Sequence, residues 1–176
     1  YTCSLSVIIK IERMEIALRL PILSDAETIL SWENNPENWE VSDNSSSYSL
    51  QDILQLIQSF QNVENPSQLR FLIHSGETLL GAVDIFDINY ENKSGAIGIL
   101  ISESEFRRKG YASQALKLIE TEAQKLGLNR LSALIHSENE QSRKLFEKMG
   151  YLIKSNGETG EETNSIIVEK WVKKEL

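Results

Sequence analysis

The sequence is poor in the residues and runs that mark secreted and membrane-spanning proteins. Its single cysteine, Cys3, has no partner for an internal disulfide, so we do not expect a secreted scaffold stabilised by disulfides. Residues 5–9 form the longest apolar stretch near the start. This is far short of the ~20 residues that span a bilayer, and no signal-peptide cleavage pattern follows it. We therefore expect a soluble protein of the reducing cytoplasm, with no membrane partner.

Positive charge is also scarce. The chain has 18 Lys and Arg residues against 26 Asp and Glu residues, a net charge of −8, and a surface of this sign repels a phosphate backbone. We expect no nucleic-acid partner, whereas cationic substrates such as polyamines or basic peptide ends suit the charge. The two histidines, His74 and His136, have no metal-ligand spacing to each other or to the cysteine, so no metal site is expected.

The length of 176 residues fits one domain, because a domain holds ~150 residues on average. Forty per cent of the residues are hydrophobic, which is enough to build a core without disulfides or metals. Residues 1–13 precede Met14 and the patterned part of the chain. We expect them to be a tail, either an upstream extension or a remnant, and we expect residues 14–176 to form the domain.

Two periodicities divide this domain into strands and helices. Apolar alternation and short apolar runs predict strands over residues 15–20, 69–74, 79–88, 96–101, 130–136, 151–154 and 166–172. Ser24 is a candidate N-cap, with Glu27 completing a capping box, for a helix that ends before Pro36. Further helices are predicted over residues 50–60, 112–126 and 139–149, and a loop over residues 34–49. This order predicts an α/β fold, a single domain whose central mixed but mostly antiparallel sheet is flanked by about four helices.

The most specific signal is a basic loop between a predicted strand and a predicted helix. It reads Arg107-Arg108-Lys109-Gly110-Tyr111-Ala112. Small residues at a helix N-terminus let an anion approach unpaired backbone N–H groups. The pattern is neither a Walker loop nor a dinucleotide fingerprint. From spacing alone, an anion site and a solvated basic turn are equally supported.

The loop resembles the acetyl-CoA loop of the GNAT superfamily of acetyltransferases, whose Gln/Arg-x-x-Gly-x-Gly/Ala pattern Arg107, Gly110 and Ala112 match. Residues 139–151 are similar to a second family pattern, Asn-x-x-Ala/Ser-x-x-Leu-Tyr-x-x-x-Gly-Phe/Tyr, with Phe146 in place of its tyrosine. The resemblance runs from about Glu15 to the C-terminus. Within the superfamily, residues 81–89 and 97–101 are similar to those of the ribosomal-protein N-terminal acetyltransferases and the spermidine/diamine acetyltransferases.

This resemblance implies a reaction and a cofactor site. The reaction is direct transfer of an acetyl group from acetyl-CoA, the cosubstrate, to a primary amine, either a protein N-terminus or a small polyamine. The family holds acetyl-CoA where two neighbouring central strands splay apart, with backbone groups on the pantetheine arm and loop amides on the pyrophosphate. The residues that the family pattern assigns to cofactor binding are Ile99, Ile101, Arg107, Arg108, Lys109, Gly110, Tyr111, Ala112, Asn139, Leu145 and Phe146.

The chain departs from its relatives at two proton-transfer positions. Many relatives place a tyrosine as general acid where this chain has Phe146, which cannot donate a proton. Many also carry a glutamate two residues before the glycine of the fourth strand, where this chain has Ala96. Acetyl transfer is still expected, because the CoA thiol is a tolerable leaving group and positioning alone lowers the barrier.

Four residues are candidates for binding the acceptor. Asp84, as a base or an amine-binding group, and Asp87 correspond to acids in the diamine branch, although carboxylates at alternating positions are also typical of a solvated strand face. Glu33 and Trp39 lie where the acceptor pocket is expected, and could hold a cationic amine. A solvated loop with tryptophan anchors is the other interpretation of that region.

The sequence therefore supports three hypotheses. The first is an acetyl-CoA-dependent N-acetyltransferase. The second is an acetyl-CoA- or CoA-binding protein of the same fold with little or no turnover, which Phe146 and Ala96 favour. The third is an interaction module that docks through residues 32–49 and binds no cofactor. Either a monomer or a homodimer is compatible with the sequence.

Overall fold

The computed structural model describes residues 15–39, 47–61, 63–156 and 165–172, which form seven strands and five α-helices. The strands are β1 (Ala17–Arg19), β2 (Leu69–Ser75), β3 (Thr78–Asn89), β4 (Ser94–Ile101), β5 (Arg130–His136), β6 (Leu152–Asn156) and β7 (Ser165–Trp171). The helices are α1 (Ala26–Glu33), α2 (Pro36–Trp39), α3 (Leu50–Ser59), α4 (Tyr111–Lys125) and α5 (Glu140–Lys148). Short 3₁₀ turns, Leu23–Asp25 and Ser104–Phe106, precede α1 and follow β4.

The strands form one sheet in the order β1-β2-β3-β4-β5-β7-β6. Neighbouring strands are antiparallel except β4 and β5, which run parallel. A parallel pair needs a crossover connection, and α4 lies in the segment that joins these two strands. The predicted mixed, mostly antiparallel sheet is confirmed.

Alternation along the strands divides the apolar side chains between two faces of the sheet. On the face that we call the α4 face, Val83 and Ile97 belong to the same buried core as Leu116 of α4. On the opposite face, which we call the α1 face, Leu72 and Ala82 pack in a second cluster with side chains of α1 and α3. Polar residues that alternate with Val83 along β3 therefore lie on the α1 face.

The predicted start of the first helix is wrong. Ser24 and Glu27 do not form a capping box: α1 begins at Ala26, and its N-cap is Asp25. The Asp25 carboxylate accepts hydrogen bonds from the Ile22 backbone N–H (2.8 Å) and from the Arg19 guanidinium (2.7 and 2.8 Å). These hydrogen bonds lower the pKa of Asp25, and those from Arg19 have the largest effect. They outweigh burial, which alone would raise the pKa.

One other boundary differs from the sequence prediction, and one agrees with it. The expected loop over residues 34–49 contains α2, which begins at Pro36, a residue that suits the first position of a helix because its missing N–H is not needed there. The described residues thus hold five α-helices rather than about four. Gly127 follows α4 with φ of +80°, as expected for a glycine that ends a helix.

Parts of the sequence prediction lie outside the described residues. They include the tail at residues 1–13 and residues 40–46 of the expected loop. Within the described part of the chain, no helix is both long and apolar enough to cross a bilayer.

Candidate active site

The parallel strands β4 and β5 are paired over only part of their length. Their register ends at Ala96 opposite Ser132. Beyond this vertex β4 remains paired with β3, and β5 remains paired with β7, so the two strands separate. We call the space between residues 97–101 and residues 133–136 the fork. Along it, the backbone polar groups on the inner edge of β4 have no partner strand among the described elements, and are open to a ligand.

A cleft of about 360 Å³ opens at the fork. Its walls come from the end of β4, the loop at residues 106–110 and the first turns of α4 and α5. The residues that line it are Ile99, Leu100, Ile101, Phe106, Arg107, Arg108, Gly110, Tyr111, Ala112, Ser113, Asn139, Gln141, Ser142 and Leu145. The structure therefore brings together, at one cleft, residues from the two motifs that the sequence singled out.

The N-terminus of α4 contributes backbone N–H groups to this cleft. Its N-cap, Gly110, has φ of +85°, and no side chain caps the helix. The amide of Gln114 is the first to bond within the helix, to the carbonyl of Gly110 (3.1 Å), so the amides of residues 111–113 have no helical acceptor. The first turn holds no acidic residue that would offset the positive end of the helix dipole. This arrangement suits an anion.

The basic residues of the loop differ in their contacts. Arg107 holds the loop in place, because its Nε donates to the Ile101 carbonyl (3.4 Å) and its Nη2 donates to Asn38 Oδ1 (3.3 Å). Arg108 has φ of +61°, is exposed and lines the cleft. Lys109 is exposed and is not among the lining residues. Arg108 is thus the residue of this basic group whose side chain is best placed for an anion.

The N-terminus of α5 forms the other wall. Asn139 is its N-cap, and the side-chain oxygen accepts a hydrogen bond from the Ser142 backbone N–H (3.0 Å). This bond orients the side-chain amide and leaves its N–H groups as the atoms that could donate to a ligand. Leu145 adds an apolar side chain one turn further along the helix.

Five lining residues were not among the sequence candidates. They are Leu100, Phe106, Ser113, Gln141 and Ser142. Helix geometry could have indicated Ser113, Gln141 and Ser142, since each lies in the first turn of a predicted helix. Phe106 is an isolated aromatic in a polar connection, and only the folded loop shows that it meets the cleft.

Phe146 lies on the core side of α5. It is buried, it is not among the lining residues, and its ring packs edge-on against Tyr151 with centroids 5.0 Å apart. Burial, with a contribution from the charge of Glu120, raises the pKa of Tyr151 above its usual value, so this phenol stays protonated. Leu145 lines the cleft and Phe146 does not, and the part of Phe146 in cofactor binding stays a prediction.

The acidic candidates lie on the α1 face, beside the fork. Asp84 points away from the α4 core because it alternates with Val83 and Ile85, and it lies across the β3–β4 ladder from Gly98. Its carboxylate accepts two hydrogen bonds from Arg70 of β2, from Nε and Nη2, both 2.8 Å long. The third arm of Arg70, Nη1, donates to Glu33 of α1. Three elements therefore meet in one ionic network.

One remaining acceptor candidate, Asp87, is not among the bonded partners of this network. Asp87 is exposed, with φ of +50°, at an irregularity in the β3–β4 ladder. Trp39 ends α2, and its side chain is outside the described part.

Burial alone would lower the pKa of Arg70, but the charges and hydrogen bonds of Asp84 and Glu33 outweigh it and raise the pKa. Arg70 therefore remains a cation.

Comparison with known protein families bears on this geometry. A family model described as an acetyltransferase (GNAT) domain matches residues 15–152. The chain belongs to the GNAT acetyltransferase family. The matched residues include the whole cleft, and the resemblance inferred from the two motifs is confirmed. The chain is therefore an acetyltransferase domain.

Across the described ranges, no three His, Cys, Asp or Glu side chains are grouped as metal ligands.

Curated relatives are distant. The uncharacterized N-acetyltransferase YoaA of Bacillus subtilis (strain 168) is 26% identical over 145 residues, which cover 80% of this chain and 81% of that protein. The spermidine N(1)-acetyltransferase of Escherichia coli (strain K12) is 27% identical over 94 residues. That match covers 53% of this chain and half the length of the relative.

Solved structures share the fold. The Vibrio cholerae spermidine N-acetyltransferase, in complex with CoA and spermine, superposes with a TM-score of 0.77 at 19% identity, over 89% of this chain and 95% of the other. RimL, a ribosomal L7/L12 α-N-protein acetyltransferase in complex with CoA, gives a TM-score of 0.77 at 16% identity, over 89% and 94%. At such identities the likeness concerns the fold.

Proposed function

We propose that the chain is an acetyl-CoA-dependent N-acetyltransferase that acts on a primary amine. The observation that carries this proposal is the convergence of the uncapped N-terminus of α4 on the fork between β4 and β5. Family membership supports it, as do neighbours whose structures contain CoA with spermine, or acetyl-CoA with AMP. Acetyl-CoA would supply an acyl group already activated as a thioester.

The residues present fit this cosubstrate. The amides of residues 111–113 and the guanidinium of Arg108 would hold the pyrophosphate, because a helix N-terminus and a basic side chain both favour an anion. The backbone of residues 97–101 would pair with amide groups of the pantetheine arm, and Asn139 would donate to it from the opposite wall. Leu145 supplies an apolar surface close to these polar groups.

The acceptor would approach from the α1 face. Asp84 would bind its ammonium group before a proton leaves for solvent. The neutral nitrogen then attacks the thioester carbonyl, the carbon–sulfur bond breaks, the nitrogen loses its remaining extra proton, and the thiolate gains one. Neither Phe146 nor Ala96 can carry a proton, so in this proposal water serves all three proton transfers.

Thiol release from acetyl-CoA tests the proposal. The wild-type protein is incubated with acetyl-CoA and one of three acceptors: spermidine, a peptide with a free N-terminus, or the same peptide with a blocked N-terminus. We expect amine-dependent thiol release that matches the acetylated amine found by mass spectrometry, and none with the blocked peptide. If the folded protein binds acetyl-CoA but acetylates no amine, the result favours a CoA-binding protein without turnover. The residues at positions 96 and 146 are what favour that second function.

The finer properties stay predictions. The acceptor is a small polyamine or a protein N-terminus, and the assembly is a monomer or a homodimer. The sequence alone predicts a cytoplasmic location.

A further inference from the structure

Arg70 stands out because it joins three elements, and neither sequence motif includes it. Its side chain is 16% exposed, against 17% for Glu33 and 28% for Asp84. Both hydrogen bonds to Asp84 are 2.8 Å long and run to separate carboxylate oxygens. A planar guanidinium that engages both oxygens fixes the carboxylate in position as well as in charge.

We propose that Arg70 is the positioning residue of the acceptor site: it holds the Asp84 carboxylate where that group binds the ammonium of the incoming amine. The inference rests on the proposed acetyl transfer and deepens it. Arg70 acts through Asp84 and does not itself touch the reacting atoms.

The location of Asp84 supports this role. Its cross-strand partner is Gly98, a fork residue that has no side chain on the α1 face. A Cβ at Gly98 would lie 3.6 Å from the Phe86 ring, so an aromatic side chain borders that space. Across the ladder, Asp84 thus faces a fork residue without a side chain, on the face opposite α4 and beside the Phe86 ring.

The exposure of Asp84 also supports it. Its side chain is 28% exposed, more than that of Arg70 or Glu33, so it is the side chain of the three most open to an acceptor. A carboxylate in that position attracts a cationic amine.

A second arginine of the chain supplies the matched control. Arg19 makes the same kind of bidentate pair with Asp25, at 2.7 and 2.8 Å. That pair joins the edge strand β1 to the 3₁₀ turn before α1, and contains one charge of each sign. An arginine-to-lysine change at either site keeps the charge and removes the planar, two-point contact.

The experiment is a double-mutant cycle on acceptor kinetics. Wild type, R70K, D84N and the R70K/D84N double variant are compared with R19K. The acceptor KM and kcat are measured with spermidine and with the free peptide, acetyl-CoA affinity by calorimetry, and folding by thermal melting. For the better acceptor we expect a KM increase of about tenfold in R70K and about tenfold in D84N, with kcat less affected. We expect about tenfold, not hundredfold, in the double variant, because both changes act through one carboxylate.

Other readouts separate positioning from folding. We expect acetyl-CoA affinity within twofold of wild type in all variants, and wild-type KM in R19K even if its melting temperature falls. A wild-type acceptor KM in R70K, or multiplicative KM effects in the double variant, would overturn the inference while the transferase proposal survives. Equal losses of acetyl-CoA affinity and turnover in R70K would show a structural role and also overturn it. If the wild type acetylates neither acceptor, both proposals fall together.

Discussion

The two sides of the fork present different kinds of polar group, backbone amides on one side and charged side chains on the other. On the proposed cofactor side, the groups that would hold the anion are largely backbone amides at the start of α4, next to Gly110. On the proposed acceptor side, the polar groups are side chains of Glu33, Arg70 and Asp84, which come from a helix and two strands. A site made of backbone tolerates side-chain changes but not changes of backbone conformation or of charge at the helix end. A side-chain network is sensitive to side-chain substitutions and tolerates changes of backbone conformation or of charge at a helix end.

The largest effect is expected from a change that adds charge and backbone strain to the cofactor side. Gly110→Asp places a side chain at φ of +85°, where L-residues are strained, and sets a negative charge at the helix N-terminus that should receive an anion. We expect acetyl-CoA affinity, measured by calorimetry, to fall at least a hundredfold. Gly127→Asp is the control, since its φ is +80° and a Cβ there also meets nothing within 4 Å. Equal losses in both variants would contradict a specific anion site.

Phe146→Tyr tests whether the side chain at position 146 contributes to acetyl transfer. Because Phe146 is 2% exposed and packs against Tyr151, an added hydroxyl enters the core without an evident partner. We expect the free energy of unfolding to fall by about 1–3 kcal/mol, measured by denaturant titration, with no gain in kcat. A higher kcat above neutral pH would mean that the ring reaches the thioester, and would contradict the placement of position 146 on the core side of α5.

Asp25→Asn tests a bidentate pair that belongs to neither side of the fork. At pH 7 we expect the free energy of unfolding to fall by about 1–3 kcal/mol, because a nearly buried, hydrogen-bonded charge is lost. The folded state lowers the pKa of Asp25 below 3.8, so the wild-type advantage is fully present above pH 3.8 and disappears as pH falls through the lower, folded-state value. Unfolding titrations at pH 7 and pH 3 measure the difference between the two proteins. A difference that stays constant, or that grows in acid, would contradict the assignment.

The smallest effect is expected from Lys109→Ala. Lys109 is exposed and does not line the cleft, and an exposed charge near an anion is largely screened by salt. We expect the acetyl-CoA dissociation constant to change less than twofold at physiological ionic strength. Arg108→Ala is the comparison, with an expected loss of three- to tenfold. A larger loss for Lys109 than for Arg108 would reverse the assignment of the two side chains.

The same contrast explains what could be predicted from the sequence. Gly110 and Ala112 were recognisable because a loop that meets a helix end is encoded by neighbouring residues, whereas Asn139 was implied by the family pattern. Arg70 and Glu33 are 37 positions apart, and a lone arginine in a strand carries no periodic signal of its partner. Phe146 shows a further limit, because a motif position does not reveal which way a ring turns once the core packs. The helix start at Ser24 was misread because Asp25 bonds to Arg19 and Ile22, a local alternative to capping.

Amide hydrogen exchange of the wild-type protein, with and without saturating acetyl-CoA, tests the central claim most directly. If the cofactor side is made of backbone groups, acetyl-CoA will protect amides of residues 97–101 and 107–113, and leave amides of α1 and of β2 around Arg70 at their free rates. Protection confined to α1 and β2, with residues 107–113 unchanged, would contradict the account.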